Sequence, residues 1–338
     1  MVQFSYKMVE GLSRPEKWRN YHMKKILAVM LALVLALGCA SALAELTFTT
    51  GGTSGTYYAF GGVLAQYVTD NSDVAITAVA GEGSAANIDM LDMGFAQLGF
   101  VQSDVAYYAV NGIRFEQYEG APITSFTALA ALYNETVQLV TCDPTLTSMD
   151  QLKGKNVSIG AAGSGVYFNA MDFLAAYDMT EEDINPQYLS FGDSAEALKD
   201  GKIDAAFVVA GAPTTAVVDL CATKGAYLIG LDDEHVAKLK ELNGAYTECV
   251  IPAGTYDGID TDTKTVAVKA IVIANGDVTE DEAYTIVSTI FENTEAITAS
   301  HAKGAELDLE YAAECGLNYH PGAAKYFAEK GITVKQAE

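Results

Sequence analysis

Arginine all but disappears after the first 22 residues: Arg114 is the only one in the rest of this 338-residue chain. Basic residues number 20 against 44 Asp and Glu, for a formal charge of −24. A guanidinium fork for a carboxylate is therefore available from one residue or from none. So acidic a chain repels nucleic acid and anionic lipid, and neither is expected as a partner. Histidine is equally thin. His22, His235, His301 and His320 are scattered without metal-ligand spacing, so no metal site is expected, and His320-Pro321-Gly322 reads as a capping turn. The five cysteines include no C-x-x-C pair, and Cys142, Cys221, Cys249 and Cys315 read as structural, whether paired or free. No G-x-S-x-G, G-x-x-x-x-G-K-[ST] or H-E-x-x-H occurs. Asp104 and Asp193 read as helix caps and Asp204 as a strand-edge acid. No catalytic constellation remains, so neither an enzyme nor a cofactor is expected.

Long apolar runs are missing too. Ile26 to Leu37 falls short of the ~20 residues a membrane-spanning helix needs. Lys24-Lys25 before it and Ala42-Leu43-Ala44 after it make it an export leader cleaved after Ala44. Met23 is the natural initiator, with residues 1–22 an upstream extension. Gly38-Cys39 offers lipid anchoring at Cys39 as the alternative, although Ala36 departs from that pattern. The expected location is periplasmic or extracellular. Residues 1–44 carry six Lys/Arg against two Glu, a net +4, so the remainder of the −24 chain carries −28.

What is abundant is alternation. Strand patterns (Leu46 with Phe48, Val74–Val79, Ala96–Val101, Val157–Gly160, Gln187–Ser190, Ile203–Val209) are interleaved with helical ones (Tyr57–Val68, Ser84–Met93, Val105–Val110, Val166–Tyr177, Ser194–Asp200, Pro213–Thr223). This predicts α/β layers with mainly parallel pairing. Phe126–Thr141 and Thr265–Ala274 exceed an ordinary strand of about five or six residues. They bracket a middle unit, which predicts a two-lobed fold with two mixed sheets, a hinge near Val137–Thr141 and Thr265–Ala274, and a central cleft. One lobe comprises 45–137 and 268–338, the other 138–267.

Three Gly/Ser turns join a strand to a helix: Gly51-Gly52-Thr53-Ser54-Gly55, Gly81-Glu82-Gly83-Ser84 and Gly160–Gly165. Each exposes unpaired N–H groups and about half a positive charge at a helix N-terminus, suited to a carboxylate or phosphate. The same glycines would equally serve only to make tight turns. Gly81-Glu82-Gly83-Ser84-Ala85-Ala86 also fits a G-x-G-x-x-A dinucleotide fingerprint, with Asp104 as the ribose acid. Export and the Glu82 charge beside a pyrophosphate count against it. Tyr57-Tyr58, Tyr107-Tyr108 and Tyr167-Phe168 fall near these turns, as cleft wall or as core.

Taken in order, Thr50-Gly51-Gly52-Thr53-Ser54-Gly55-Thr56-Tyr57-Tyr58, Gly83-Ser84-Ala85-Ala86-Asn87, Gly99-Phe100-Val101-Gln102-Ser103-Asp104, Gly163-Ser164-Gly165, Ala210-Gly211-Ala212-Pro213, Ile251-Pro252-Ala253-Gly254 and His320-Pro321-Gly322-Ala323 resemble the TAXI family of TRAP-transporter solute receptors over nearly all of the chain after the leader. The resemblance implies a monomeric binding protein that hands a small carboxylate or amino-acid solute, such as glutamate, to TRAP permease subunits. Carried over by motif, the ligand contacts are Gly52, Thr53, Ser54, Thr56 and Tyr57, then Ser84, Asn87, Gln102 and Asp104. Ser164, Gly165 and Val166 face them, with Gly211 and Pro213 at the floor. Glu82 departs from the family pattern and favours a ligand bearing an amine, held by Asp104 or Glu82. An exported sensor uncoupled from transport is the alternative, and a dinucleotide-dependent enzyme the remoter one.

Overall fold

A computed structural model describes residues 45–114 and 119–337. The expected leader, its cleavage site and Cys39 lie outside the described residues. Residues Glu45–Glu338 form one compact unit. In chain order its elements are β1 (Leu46–Thr49), α1 (Thr56–Asn71), β2 (Ile76–Val79), α2 (Ser84–Asp92), β3 (Leu98–Gln102), α3 (Ser103–Asn111) and β4 (Phe126–Thr141). There follow β5 (Asn156–Ser158), α4 (Val166–Ala176), β6 (Asn185–Gln187), α5 (Phe191–Lys199), β7 (Ala205–Ala210), α6 (Thr215–Thr223), β8 (Tyr227–Ile229), α7 (Asp233–Leu242), β9 (Thr247–Ile251) and β10 (Thr263–Asn275). The tail is helical: α8 (Glu280–Phe291), α9 (Thr294–Ser300), α10 (Leu309–Ala312) and α11 (Pro321–Glu329). Among the described residues no helix is long and apolar enough to cross a membrane.

The strands pair in the order β2-β1-β3-β10-β4-β7-β5-β6, with β8 on β4 and β9 on β10. Pairing is parallel for β1 with β2 and β3, and for β5 with β6 and β7, and antiparallel wherever β4 or β10 takes part. The mixed α/β fold with a continuous, helix-flanked sheet follows from the apolar, β-branched runs that the sequence alternates with helical ones. The two sheets that the sequence suggests are joined into one because β4 and β10 are long enough, at 16 and 13 residues, to belong to both halves.

The cores show where the changeover falls. Up to Tyr133, β4 packs with Phe48, Phe60, Phe100 and Phe327; from Val137 it packs with Val157, Phe173 and Phe207. β10 changes sides between Val268 and Ala270. Helix α1 shows how one element anchors to its core. Phe60, Leu64 and Val68 recur at the i, i+4 spacing of one face and are almost fully buried. Burying each contributes about 1.5–3 kcal/mol. At the crossing the apolar pattern breaks: Glu135, paired in register with Val268, is only 2% exposed.

Between α6 and β10 the sequence pattern suggests no element, yet β8, α7 and β9 occupy that stretch. α7 buries only Val236 and Leu239, and β9 is mostly exposed, so neither carries enough apolar periodicity to be read. The strand expected at Gln187–Ser190 ends at Gln187, because Ser190 caps α5 by accepting from Asp193 N–H.

Candidate functional site

Four helix starts converge on a small cavity of about 60 Å³. Its wall takes Gly51, Gly52, Gly55, Thr56 and Tyr57 from the β1–α1 turn, and Gly81, Glu82, Gly83 and Ser84 from the β2–α2 turn. Ala161, Ser164, Gly165 and Val166 come from the start of α4, and Ser190 and Phe191 from that of α5. Gln102, Glu135, Val209 and Ala210 at strand ends and in the β4 crossing complete it. The described wall contains no Lys, Arg or His.

Three of these helices begin on glycine (Gly55, Gly83 and Gly165), with no side chain capping the first turn. Gly83 sits at φ +105°, a conformation that favours glycine. Gly165 is required by closeness: a Cβ there would lie 2.0 Å from Gln102 Oε1. The termini are not equivalent. Ala85 and Ala86 N–H of α2 donate to Gly163 O at 3.0 and 3.1 Å, so the α4 turn already caps α2 across the cavity. The first N–H groups of α1 and α4 remain for a ligand.

The halves touch elsewhere round the cavity. Thr56 Oγ1 donates to Gly211 O at 2.9 Å, and Ala216 N–H donates to Ser54 O at 3.2 Å. Gln102 Nε2 donates to Asn169 Oδ1 at 2.6 Å, and Asn169 Nδ2 donates to Asp104 Oδ2 at 2.9 Å and to Tyr246 OH at 2.8 Å. Tyr246 OH in turn donates to Asp172 Oδ2 at 3.1 Å. Arg114 closes this chain with a 2.5 Å ion pair to Asp172 Oδ1 and a bond to Tyr108 OH. Arg114, the one Arg among the described residues, is thus spent on a buried acid behind the wall, and the wall's donors are N–H and hydroxyl groups.

Electrostatically the wall is acidic. Burial drives the Glu135 carboxyl up to about 8. The Tyr57 and Tyr133 hydroxyls and the Lys303 charge ease its ionisation, and nearby Asp104 opposes it. Glu135 Oε1, Tyr57 OH, Tyr133 OH and Ser164 Oγ are buried without a hydrogen-bond partner. Asp104 is raised to about 6, again by burial first, against its bond from Asn169.

Of the residues singled out from sequence, Gly52, Thr56, Tyr57, Ser84, Gln102, Ser164, Gly165 and Val166 stand on the wall. Six do not. Asn87 Nδ2 is committed to Thr50 O at 2.6 Å and Phe100 O at 2.8 Å, clamping β1 to β3. Asp104 faces Asn169, and the Ser54 carbonyl caps α6. Gly211 is masked by its bond from Thr56, while Thr53 is exposed and Pro213, after a cis peptide, lies beyond the floor made by Val209 and Ala210. Glu135, Phe191 and Ser190 were not picked out from sequence. Glu135 left one signal, a carboxylate inside an otherwise β-prone run. Asp193, expected as a cap, instead bonds Ser190 from within the first turn of α5.

Among the described residues no three His, Cys, Asp or Glu gather as metal ligands, and Cys142, Cys221, Cys249 and Cys315 are free. The fold has relatives of known structure. A Bordetella bronchiseptica protein is 15% identical, with 86% of this chain and 90% of that one covered and a TM-score of 0.52. The ligand-binding component of an ABC-type import system from Staphylococcus aureus, solved with zinc bound, is 10% identical over 85% and 92%, with a TM-score of 0.51. PhnD1 from Prochlorococcus marinus, in complex with methylphosphonate, is 11% identical over 76% and 90%, with a TM-score of 0.50. At these identities the likeness is one of fold, that of substrate-binding proteins. The model of the NMT1-like family matches residues 48–331, and the chain belongs to that family.

Proposed function

We propose that this member of the NMT1-like family is an exported solute receptor that captures a small carboxylate-bearing molecule in the cavity between α1 and α4. The observation that carries the reading is the pair of helix N-termini, from opposite halves, whose first N–H groups meet at a cavity lined by unpartnered polar atoms. Two partial positive ends of about half a charge each suit one carboxylate. Glutamate, glutamine and dicarboxylic or 2-oxo acids are small solutes that carry such a carboxylate. The lobes, 45–137 with 268–338 and 138–267, open and close by bending β4 and β10, and the closed monomer docks on the permease. The ordered motifs from Thr50 to Ala323 favour TRAP permease subunits as that partner. The Staphylococcus aureus relative belongs to an ABC-type system and supports an ABC permease as the second reading.

A thermal-shift screen of chain beginning at Glu45 tests this. A ligand at 100 times its dissociation constant stabilises by about 2.7 kcal/mol, a shift of several degrees. Acids and amino acids are expected to give it. Silence from that whole set, with a response to sugars or nucleobases, would reject the reading.

A further inference from the structure

The cavity wall has donors for an anion, yet its only charged side chains are Glu82 and Glu135. Glu135 is 2% exposed, sits where β4 passes from one core to the other, and leaves Oε1 without a partner. No cation comes within ion-pair distance of it among the described residues. The nearest influence, Lys303, is bound to Glu306 and lies over the Tyr133 ring. A carboxylate buried without a counter-charge costs several kcal/mol; the Tyr57 and Tyr133 hydroxyls and the Lys303 charge offset only part of that cost, and the carboxyl still rises to about 8. Beside it the Tyr57 and Tyr133 hydroxyls are also unpartnered. Glu135 and Tyr57, which both stand on the wall, offer unused acceptor capacity to the N–H donors of an ammonium group; Tyr133 is not part of the wall.

We propose that Glu135 is the specificity-determining residue of the cleft: it takes the protonated amine of the solute while the N–H groups of α1 and α4 take its carboxylate, so the substrate class is the amino acids. This rests on the solute-cleft reading and narrows it. A doubly anionic dicarboxylate would meet the Glu82 charge and hold Glu135 in its neutral form, with no side-chain cation on the wall to balance its second charge. An amino acid brings its own. Asp104 and Glu82, the sequence-based candidates for the amine, are less suited: Asp104 already accepts from Asn169, and Glu82 is exposed.

The proton balance follows. The groups facing Glu135 are Tyr57 on α1, Tyr133 on its own strand, Asp104 on α3, Lys303 in the segment after α9 and Tyr311 on α10, with Glu306 acting on Tyr133. With its carboxyl near 8, empty Glu135 is mostly protonated at pH 7. An arriving ammonium favours the carboxylate, and the proton leaves to solvent, so binding at pH 7 releases protons. A protonated Glu135 donating to a ligand oxygen would do the reverse and take up a proton.

The experiment is isothermal calorimetry of the chain from Glu45, in two buffers of different protonation enthalpy. L-glutamate and L-glutamine are compared with 2-oxoglutarate and succinate. Expected are amino-acid affinities at least about tenfold above those of the two deaminated acids, with net proton release. Glu135→Gln should weaken the amino acids by about a hundredfold, the scale of a lost buried charge pair, and leave 2-oxoglutarate unchanged. Equal or tighter binding of 2-oxoglutarate, or proton uptake, would overturn the assignment of Glu135 and leave the carboxylate cleft standing. Binding by none of the four acids would remove the cleft reading itself. Should the variant not fold, the proton count on the unaltered protein decides.

Discussion

Replacing Glu135 by Gln perturbs the empty protein in a way that depends on pH, and the direction is fixed by where the carboxyl sits. Burial raises it from an ordinary 4.5 to about 8. A folded-state value above the unfolded one means that the folded protein holds the proton more tightly. The stability so gained is fully present below about 4.5 and is lost as pH rises through about 8. At about 1.36 kcal/mol per unit, the full shift corresponds to a ceiling of about 5 kcal/mol. For a chain of this size that is about 10 °C of melting temperature. Glutamine has the shape of the neutral acid and does not titrate. Wild type and E135Q should therefore melt together near pH 5, and E135Q should become the more stable by several degrees at pH 9. Asp104, raised to about 6 and interacting with Glu135, is ionised well below pH 9 in both proteins, so the difference at pH 9 reads mainly Glu135. Scanning calorimetry on protein refolded free of solute measures the difference. Parallel curves, or a wild type that gains on E135Q as pH rises, would refute the burial argument.

Two further outcomes follow from the contacts between halves. Gly165→Ala sets a methyl 2.0 Å from Gln102 Oε1, displacing a side chain that is pinned on Asn169, and should cost roughly 1–3 kcal/mol by overpacking; Gly52→Ala, with nothing within 4 Å, should cost little, as paired melting curves will tell. Arg114→Ala strips a buried acid of its cation, although Arg114 itself is one-third exposed. A double-mutant cycle with Asp172→Asn should return a coupling of about 1–3 kcal/mol, and additive effects would contradict the pairing.

Much of the fold can be read from sequence because long elements carry repeated signals. β4 and β10 are unbroken β-prone runs, and α1, α2 and α4 follow Gly-rich turns that announce their starts. β8, α7 and β9 cannot be read, since each buries too little to impose a period. The site is legible in part for a different reason. Residues that act through backbone N–H, such as Gly52, Gly165 and Val166, are located by the turn itself. Residues that act through side chains depend on orientation, which one sequence does not encode. Asn87 looks like a ligand contact but faces the β1 and β3 carbonyls, and Asp104 looks like an amine acceptor but faces Asn169. Arg114 is conspicuous by scarcity, while its partner is 58 residues away. Glu135 lies in a strand whose burial on both faces is known only once β10 is in place.

Capture of a solute between α1 and α4 is tested most directly by filling that space. Ala161 stands on the cavity wall, only partly buried and outside any helix, so Ala161→Phe should fold and occupy the cavity. Calorimetric titration with whichever acid gives the largest thermal shift should show tight binding to the unaltered protein and none to A161F, with melting temperatures within a few degrees of each other. Undiminished affinity in A161F would place the solute elsewhere and contradict the account.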